Sequence, residues 1–342
     1  MKGSVSGFWI FLRGVATLLV TLAGLLFATF IIGRVMPIDP VIAVVGDKAS
    51  AETYAQAREE MGLDRPLWVQ FGRYIEGVAR GDLGQSSSSG QPVVEDIARA
   101  FPATLELSVF AIIIGICVGL PLGVYAAHRR NTWFDHTARV LSLFGYSTPV
   151  FWLGLIALLI FYAQLGWTGG PGRIGTAYRY TVQEWSGLML VDTLRSGDWY
   201  AFRSAFSHII LPALLLGYFS LAYIARMTRN FMIEELNKEY VTMARIKGAS
   251  ETRVLWRHAF PNALVPVVTV IALSFGHLLE GAVLTETVFA WPGLGLYITK
   301  SLFSADMPAV LGGTLVVGIC FVLLNKLTDV IYPLLDPRTR NR

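Results

Sequence analysis

Charge is scarce in this chain. Asp, Glu, Lys and Arg make up 15% of its 342 residues, against about 25% in an ordinary soluble domain. A water-soluble globule of this length needs more charge to cover its surface, so an ordinary soluble fold is excluded. Cysteine is nearly absent. Cys117 and Cys320 each sit inside an apolar run, which excludes a disulfide framework and reads as two small buried hydrophobes. The five histidines are scattered. Neither HExxH nor CxxC occurs, so no motif argues for a metal centre. The net charge of +4 is mild and comes without a dense basic run, which argues against a nucleic-acid partner. No GxxxxGK[ST] occurs, so the chain lacks the loop that cradles ATP phosphates.

What is present is apolar: 54% of the residues. A spanning helix needs about 20 such residues. Gly14 to Gly33, Leu107 to Ala127 and Val140 to Leu165 carry no charge. Ile209 to Ala225 is shorter and is extended by Ser207 and His208. Ala263 to Leu279 continues past Glu280 to Thr285, and Ala309 to Leu324 continues past Lys326 toward Tyr332. The expected fold is all-α and polytopic, with six transmembrane helices. The first run is long for a signal peptide and no A-x-A site follows it, so it reads as an uncleaved span.

Basic residues set the orientation. With the N-terminus inside, segments 1–14, 128–139, 226–258 and 326–342 hold about 16 of the 28 basic residues in about 76 positions. The other side holds about 12 in about 137 positions. Both termini are therefore expected in the cytoplasm. Three regions follow: 1–35 with the first helix, an extracytoplasmic loop region 36–103, and a core 104–342 with five helices. In the first outer loop Leu67, Phe71, Tyr74, Ile75 and Val78 keep helical spacing. Gly81 to Gly90 reads as irregular, and the outer loop 166–206 reads as a cap over the helices.

Proline and glycine punctuate the spans at Pro121, Pro149, Pro212 and Pro266. Gly115, Gly119 and Gly123 stand at i, i+4, i+8. Close helix packing and hinges both fit. His277 and Glu280 lie within one helical turn in the fifth span. A carboxylate there is costly, and it reads either as a pore-lining group or as a structural strut. Glu286 joins these as a candidate for the translocation path. Trp291-Pro292-Gly293 reads either as an interfacial anchor with a turn or as part of an outer gate. Lys326 and Asp329, at i, i+3, read as a local ion pair.

The inner loop 226–258 is long and charged. Glu234 to Lys247 contains good helix formers, Gly248 breaks the run, Ser250 and Glu251 open a second short helix to about His258, and Pro261 opens the next span. Helix, glycine turn, helix presents a rigid element to a soluble partner. Ala244, Gly248 and Ala249 allow close approach, with Arg245, Lys247, Arg253 and Arg257 at the rim. The stretch resembles the coupling loop of bacterial ABC importer permeases: EAA, three residues, Gly, nine residues, then I-x-L-P. Ala244, Gly248 and Pro261 match; Thr242, Met243, His258 and Phe260 depart.

The rest of the chain is similar to the first permease of the dipeptide/oligopeptide/nickel importer family. The similar stretches include Gly62-Leu63-Asp64-Arg65-Pro66, Pro102-Ala103-Thr104-Leu105-Glu106-Leu107, Ser147-Thr148-Pro149 and Ala225-Arg226-Met227-Thr228-Arg229. Thr285-Glu286-Thr287-Val288-Phe289-Ala290-Trp291-Pro292-Gly293 and Leu335-Asp336-Pro337-Arg338 continue the series in the family's order. The resemblance implies a type I ABC importer permease fold in the bacterial cytoplasmic membrane, with a second permease, two ATPase subunits and an extracytoplasmic binding protein as partners. It implies no cofactor in this chain, with ATP and Mg held by the ATPases. It implies a coupling loop over 226–261 in which Glu239, Ala244, Gly248, Ala249, His258 and Pro261 meet the ATPase. Peptides are the expected cargo, moved by alternating access. A secondary transporter would want inverted repeats, and a membrane enzyme a nucleophile or metal constellation; neither is evident.

Overall fold

The computed structural model describes residues 3–35, 40–46 and 48–335. The side chains of 3–13, 34–35, 40, 43–44, 146, 280–281 and 329–335 fall outside that description. The described residues are helices and turns, with one isolated bridge between Gln85 and Pro92. Among the described residues, five helices are long and apolar enough to cross a membrane, and a bent pair makes a sixth if it is one span. The helix Val93–His128 has 36 residues, or about 54 Å at 1.5 Å per residue. A bilayer core is about 30 Å thick, so the polar start around Glu95, Asp96 and Arg99 extends beyond the apolar part.

The expected third span is not one straight helix. Trp133–Gly145 and Val150–Gln164 meet at 97°. Pro149 lacks an N–H and pushes the residue before it out of the helical region; Thr148 is extended at ψ 132°. Val150–Ala157 then passes into a π-type stretch, Leu158–Gln164.

The chain divides into two compact units, Met1–Phe101 with Gly293–Leu323, and Pro102–Pro292 with Leu324–Arg342. In the first, the amphipathic segment forms the helix Leu67–Ala79. Phe71 meets Phe27 edge-on at 5.7 Å and Phe30 at 5.2 Å. Tyr74 Oη lies 3.0 Å from Thr29 Oγ1. The serine-rich loop is irregular but pinned: Asp306 accepts from Ser86 Oγ at 2.5 Å and Ser88 N at 3.0 Å. Burial raises the Asp306 pKa, and the hydrogen bonds from Ser86, Ser88 and Ala309 outweigh it, so the carboxyl sits below its ordinary value.

In the second unit the core is built from Leu107, Ala111, Ile209, Leu216, Ile224, Ala282 and Trp291. The helix Val93–His128 approaches Trp199–Leu236 closely. A Cβ on Gly115 would stand 2.6 Å from Ser220 Oγ, and one on Gly123 2.6 Å from the Ala225 carbonyl. The three glycines are thus sites of close helix contact. At Pro121 and Pro212 the two helices continue through the ring.

Candidate functional site

Residues 237–261 form the candidate coupling element. The run of helix formers from Glu234 to Lys247 is not one helix: Trp199–Leu236 ends inside it, with a break at Asn237 and Lys238. Glu239–Ile246 is a separate helix. Glu239, exposed in its first turn, suits the positive end of the helix dipole. Gly248 follows with φ +81°, a left-handed conformation that glycine adopts without a Cβ penalty. Ser250 is the N-cap residue and Glu251 starts the next segment. This segment does not end near His258. Through a π-type stretch, Val254–Ala259, it runs directly into Phe260–Val288. Pro261 lies in the first turn of that helix, where its missing N–H costs little.

The two faces of the element differ. Val241, Ala244, Val254, Leu255 and Ala259 are buried with Val124, Ala127 and Met232. Ala244 therefore holds the element to its own chain and is not part of the outer surface. The outward face carries Met243, 52% exposed, and Ile246, 74% exposed, flanked by exposed Arg245, Lys247 and Arg253, with Gly248 exposed beside them and Ala249 half-buried. Two ties brace the base. Tyr240 Oη donates to Glu235 Oε2 at 2.7 Å, and Asn262 Nδ2 donates to the His258 carbonyl at 2.9 Å. Burial and the neighbouring Glu235 carboxylate push the Tyr240 pKa up to about 12, so its hydroxyl stays a donor at neutral pH. Arg245 and Glu251 pair across the glycine turn at 2.9 Å.

The candidate path residues do not share one environment. Glu286 is fully buried and accepts from Thr104 Oγ1 at 2.6 Å; it has no exposed surface in this chain. His277 is exposed on the same helix. The side chains of Glu280 and Asp329 lie outside the described residues. Trp291 is 1% exposed, so its ring is packed inside this chain and is not presented to lipid. Its Nε1 donates to the Ala103 carbonyl at 2.9 Å, and the Arg173 guanidinium lies 5.5 Å over its ring.

These bonds belong to a cluster that sequence reasoning missed. Glu106 and Arg173 form a buried ion pair at 2.5 Å, their side chains 4% and 9% exposed. Glu106 also accepts from Leu190 N at 2.8 Å, and Arg173 donates to the Gly187 carbonyl at 2.9 Å. Asp192 holds the adjoining loop. It accepts from the amides of Trp185, Ser186 and Gly187 at 3.2, 2.9 and 3.1 Å. Residues 166–198, which include the short helix Met189–Ser196, thus pack over the start of the uncharged run, whereas 199–206, expected as loop, already belong to the helix Trp199–Leu236. The available signal was a charge, Glu106, at the mouth of an uncharged run, and an arginine in a glycine-rich loop. A second buried pair, Asp135–Arg229, is bidentate at 2.5 and 2.8 Å.

Burial raises the pKa of Asp192, and its hydrogen bonds from Ser186, Trp185 and Gly187 outweigh that, so the carboxyl is held below its ordinary value. A depressed carboxyl contributes stability above its unfolded pKa, about 3.9, and loses it as pH falls through the folded value. Amide exchange at 185–187, corrected for intrinsic rates, should accelerate as pH falls below about 4 in the intact protein. In Asp192→Asn the same amides should exchange fast throughout. An unchanged wild-type profile would show that the carboxylate does not hold the loop.

Comparison with known proteins matches this architecture. The family model described as "Binding-protein-dependent transport system inner membrane component" matches residues 119–341. A second, "Binding-prot-dependent transport system membrane comp, N-term", matches residues 8–108. The dipeptide transport system permease protein DppB of Escherichia coli K12 is 43% identical over 97% of this chain and 98% of its own length. The probable D,D-dipeptide transport system permease protein DdpB of Escherichia coli K12 is 41% identical over 97% of each. The di/tripeptide permease DppB of Pseudomonas aeruginosa is 42% identical over 96% and 98%. Among solved structures, the inward-facing MetNI methionine ABC transporter has a similar fold, with TM-score 0.52 at 18% identity over 70% of this chain and 95% of that one. With both family models and near-complete relatives agreeing, the chain belongs to the inner membrane components of binding-protein-dependent transport systems: it is a multi-pass permease subunit of an ABC importer and not itself an ATPase.

Proposed function

We propose that this permease moves di- or oligopeptides into a bacterial cytoplasm by alternating access. The observation that carries the cargo is about 40% identity, across nearly the whole chain, to several permeases named for dipeptides or di/tripeptides. A second permease completes the path, an extracytoplasmic binding protein delivers the solute, and two ATPase subunits bind ATP and Mg. Both termini face the cytoplasm, which places the 239–258 element on the ATPase side. Its outward face, Met243 and Ile246 ringed by Arg245, Lys247 and Arg253, supports this reading. An apolar centre within a charged rim is the make-up of a docking surface. Glu239, Gly248, Ala249 and His258 shape or flank that face, and Ala244 and Pro261 anchor it. His277 and Glu280 belong to the wall of the path.

Two measurements test this. Proteoliposomes holding the co-purified complex and its binding protein should accumulate labelled dipeptide only with ATP inside; accumulation of nickel chelates or sugars in preference to peptides would reject the cargo. Reporter fusions after Asn131 and Asn237 should read cytoplasmic and one after Ser87 external; an external reading at Asn237 would reject the orientation.

A further inference from the structure

The first unit holds a cavity of about 390 Å³, within the range of ligand pockets. Three segments enclose it: the end of the helix Gly3–Val35, residues 61–84, and the start of the helix Met307–Leu335. Phe30, Leu63, Leu83, Met307 and Leu311 form an apolar wall, and Arg73 and Asp82 are the two charged lining residues. These charges do not pair with each other. Asp64 and Glu76, the acids that flank Arg73 along the chain, are committed to Arg58 at 2.7 Å and Arg80 at 2.6 Å. Among the described residues no acid pairs with Arg73. Asp82 accepts from Gly84 N at 2.9 Å and meets no cation among the described residues. The Arg73 guanidinium is nevertheless placed. It lies over Gly62, where a Cβ would collide with Nη1. Gly62 takes φ +67°, and Gln70 fixes the same turn, its Nε2 donating to the Leu63 and Arg65 carbonyls at 3.0 and 2.7 Å.

The sequence sets the depth of the cavity. The uncharged run Gly14 to Gly33 ends there, with Phe30 and Gly33 in the lining, and the run Ala309 to Leu324 begins there, with Leu311 and Gly312. The cavity therefore stands where the apolar slab gives way to headgroups. The helix Leu67–Ala79 lies against the first span through Phe71 on Phe27 and Phe30, and it exposes Leu67 at 59% and Trp68 at 77%. Tryptophan on an amphipathic helix at this depth suits the membrane interface. Guanidinium binds phosphate oxygens by charge and by paired N–H donors, and a carboxylate accepts from a primary ammonium. A phosphate and an ammonium a few bonds apart, joined to an acyl chain, match the two charges and the apolar wall together. A free anion would use neither Asp82 nor the wall.

We propose that this cavity binds a zwitterionic phospholipid of the phosphatidylethanolamine class, its phosphate on Arg73, its ammonium on Asp82 and the upper part of an acyl chain along Phe30 and Leu311. The site depends on the chain spanning a bilayer. It depends neither on peptide cargo nor on which side the termini face.

The test is native mass spectrometry of the intact complex, titrated with phosphatidylethanolamine or phosphatidylglycerol of the same acyl chains. The wild type should retain phosphatidylethanolamine about threefold better, the scale of a solvent-exposed ion pair. Asp82→Asn should erase that preference. Arg73→Gln should weaken retention of both lipids about tenfold by removing a charge-assisted phosphate contact, and Arg73→Lys should restore part of it. Arg73 carries no ion pair, so Arg73→Gln strands no acid and the complex should elute as the wild type does. Excess phosphoethanolamine, which has the headgroup and no acyl chain, should not displace the lipid. Equal retention of the two lipids by the wild type would overturn the proposal, as would unchanged retention in Arg73→Gln. Displacement by phosphoethanolamine would point to a site for soluble zwitterions and also overturn it. Displacement by a dipeptide would assign the cavity to the solute path, and the proposal fails; failure of peptide uptake in the wild type leaves the lipid result unaffected.

Discussion

Arg173→Met should sharply reduce the yield of folded permease. The substitution leaves Glu106 buried, 4% exposed, with the Leu190 amide still donating to it but no cation beside it. It also removes the donor to the Gly187 carbonyl and the cation over Trp291. Removing one partner of a buried ion pair costs about 3–5 kcal/mol, a large share of the 5–15 kcal/mol that holds a typical domain together. The complex should melt several degrees lower in detergent, by fluorescence-detected size exclusion. Glu106→Gln combined with Arg173→Met should lose less than the two single losses added, because neither charge is then left unpaired. A wild-type melting curve for Arg173→Met would show that the pair is dispensable.

Gly248→Trp should abolish uptake while leaving the complex assembled. Apart from its chain neighbours, no atom of the described residues lies within 4 Å of a Cβ at Gly248, so the indole has room in the isolated subunit. The cost to its own fold is the left-handed backbone, φ +81°, about 1–2 kcal/mol for a residue with a side chain. The indole projects from the exposed turn beside the face that carries Ile246. If that face docks on the ATPase, a bulky group there should reduce substrate-stimulated ATP hydrolysis and uptake by more than about tenfold, the factor that 1.4 kcal/mol of docking free energy gives. Gly248→Asn tests the backbone alone, since Asn tolerates the left-handed region; it should retain most uptake. Normal transport by Gly248→Trp would remove the 239–258 element from the coupling role.

The spans were legible because a helix in lipid satisfies its own backbone hydrogen bonds, which leaves only length and hydrophobicity to be read. The helix Gly3–Val35 encloses the uncharged run Gly14–Gly33. The glycine turn at 248 was legible because backbone conformation there is a local preference. The break at Thr148-Pro149 was half legible: Pro149 was visible, but its effect on the helix depends on whether neighbours accommodate the ring. Pro121 and Pro212 sit within continuous helices, so the residue type alone does not decide.

The path candidates show the limit most clearly. Glu286 and His277 share one helix, yet one is fully buried against Thr104 and the other is exposed. Ala244 looked like part of a contact surface by its size, but it faces inward. In each case the side of the helix was set by what packs on it.

Local chemistry, then, was determined by the amino-acid sequence: an all-helical membrane chain, the positions of its apolar runs, and a surface element turned by glycine. These depend on solvent preference and backbone angles, which act over a few residues. Partner choice was decided only by the tertiary structure. Glu106 meets Arg173 across 67 residues, Asp135 meets Arg229 across 94, and Thr104 and Ala103 reach Glu286 and Trp291 across 182 and 188. A buried charge must be paired, but that demand names no partner; the helix packing that brings two such groups within hydrogen-bond reach selects it.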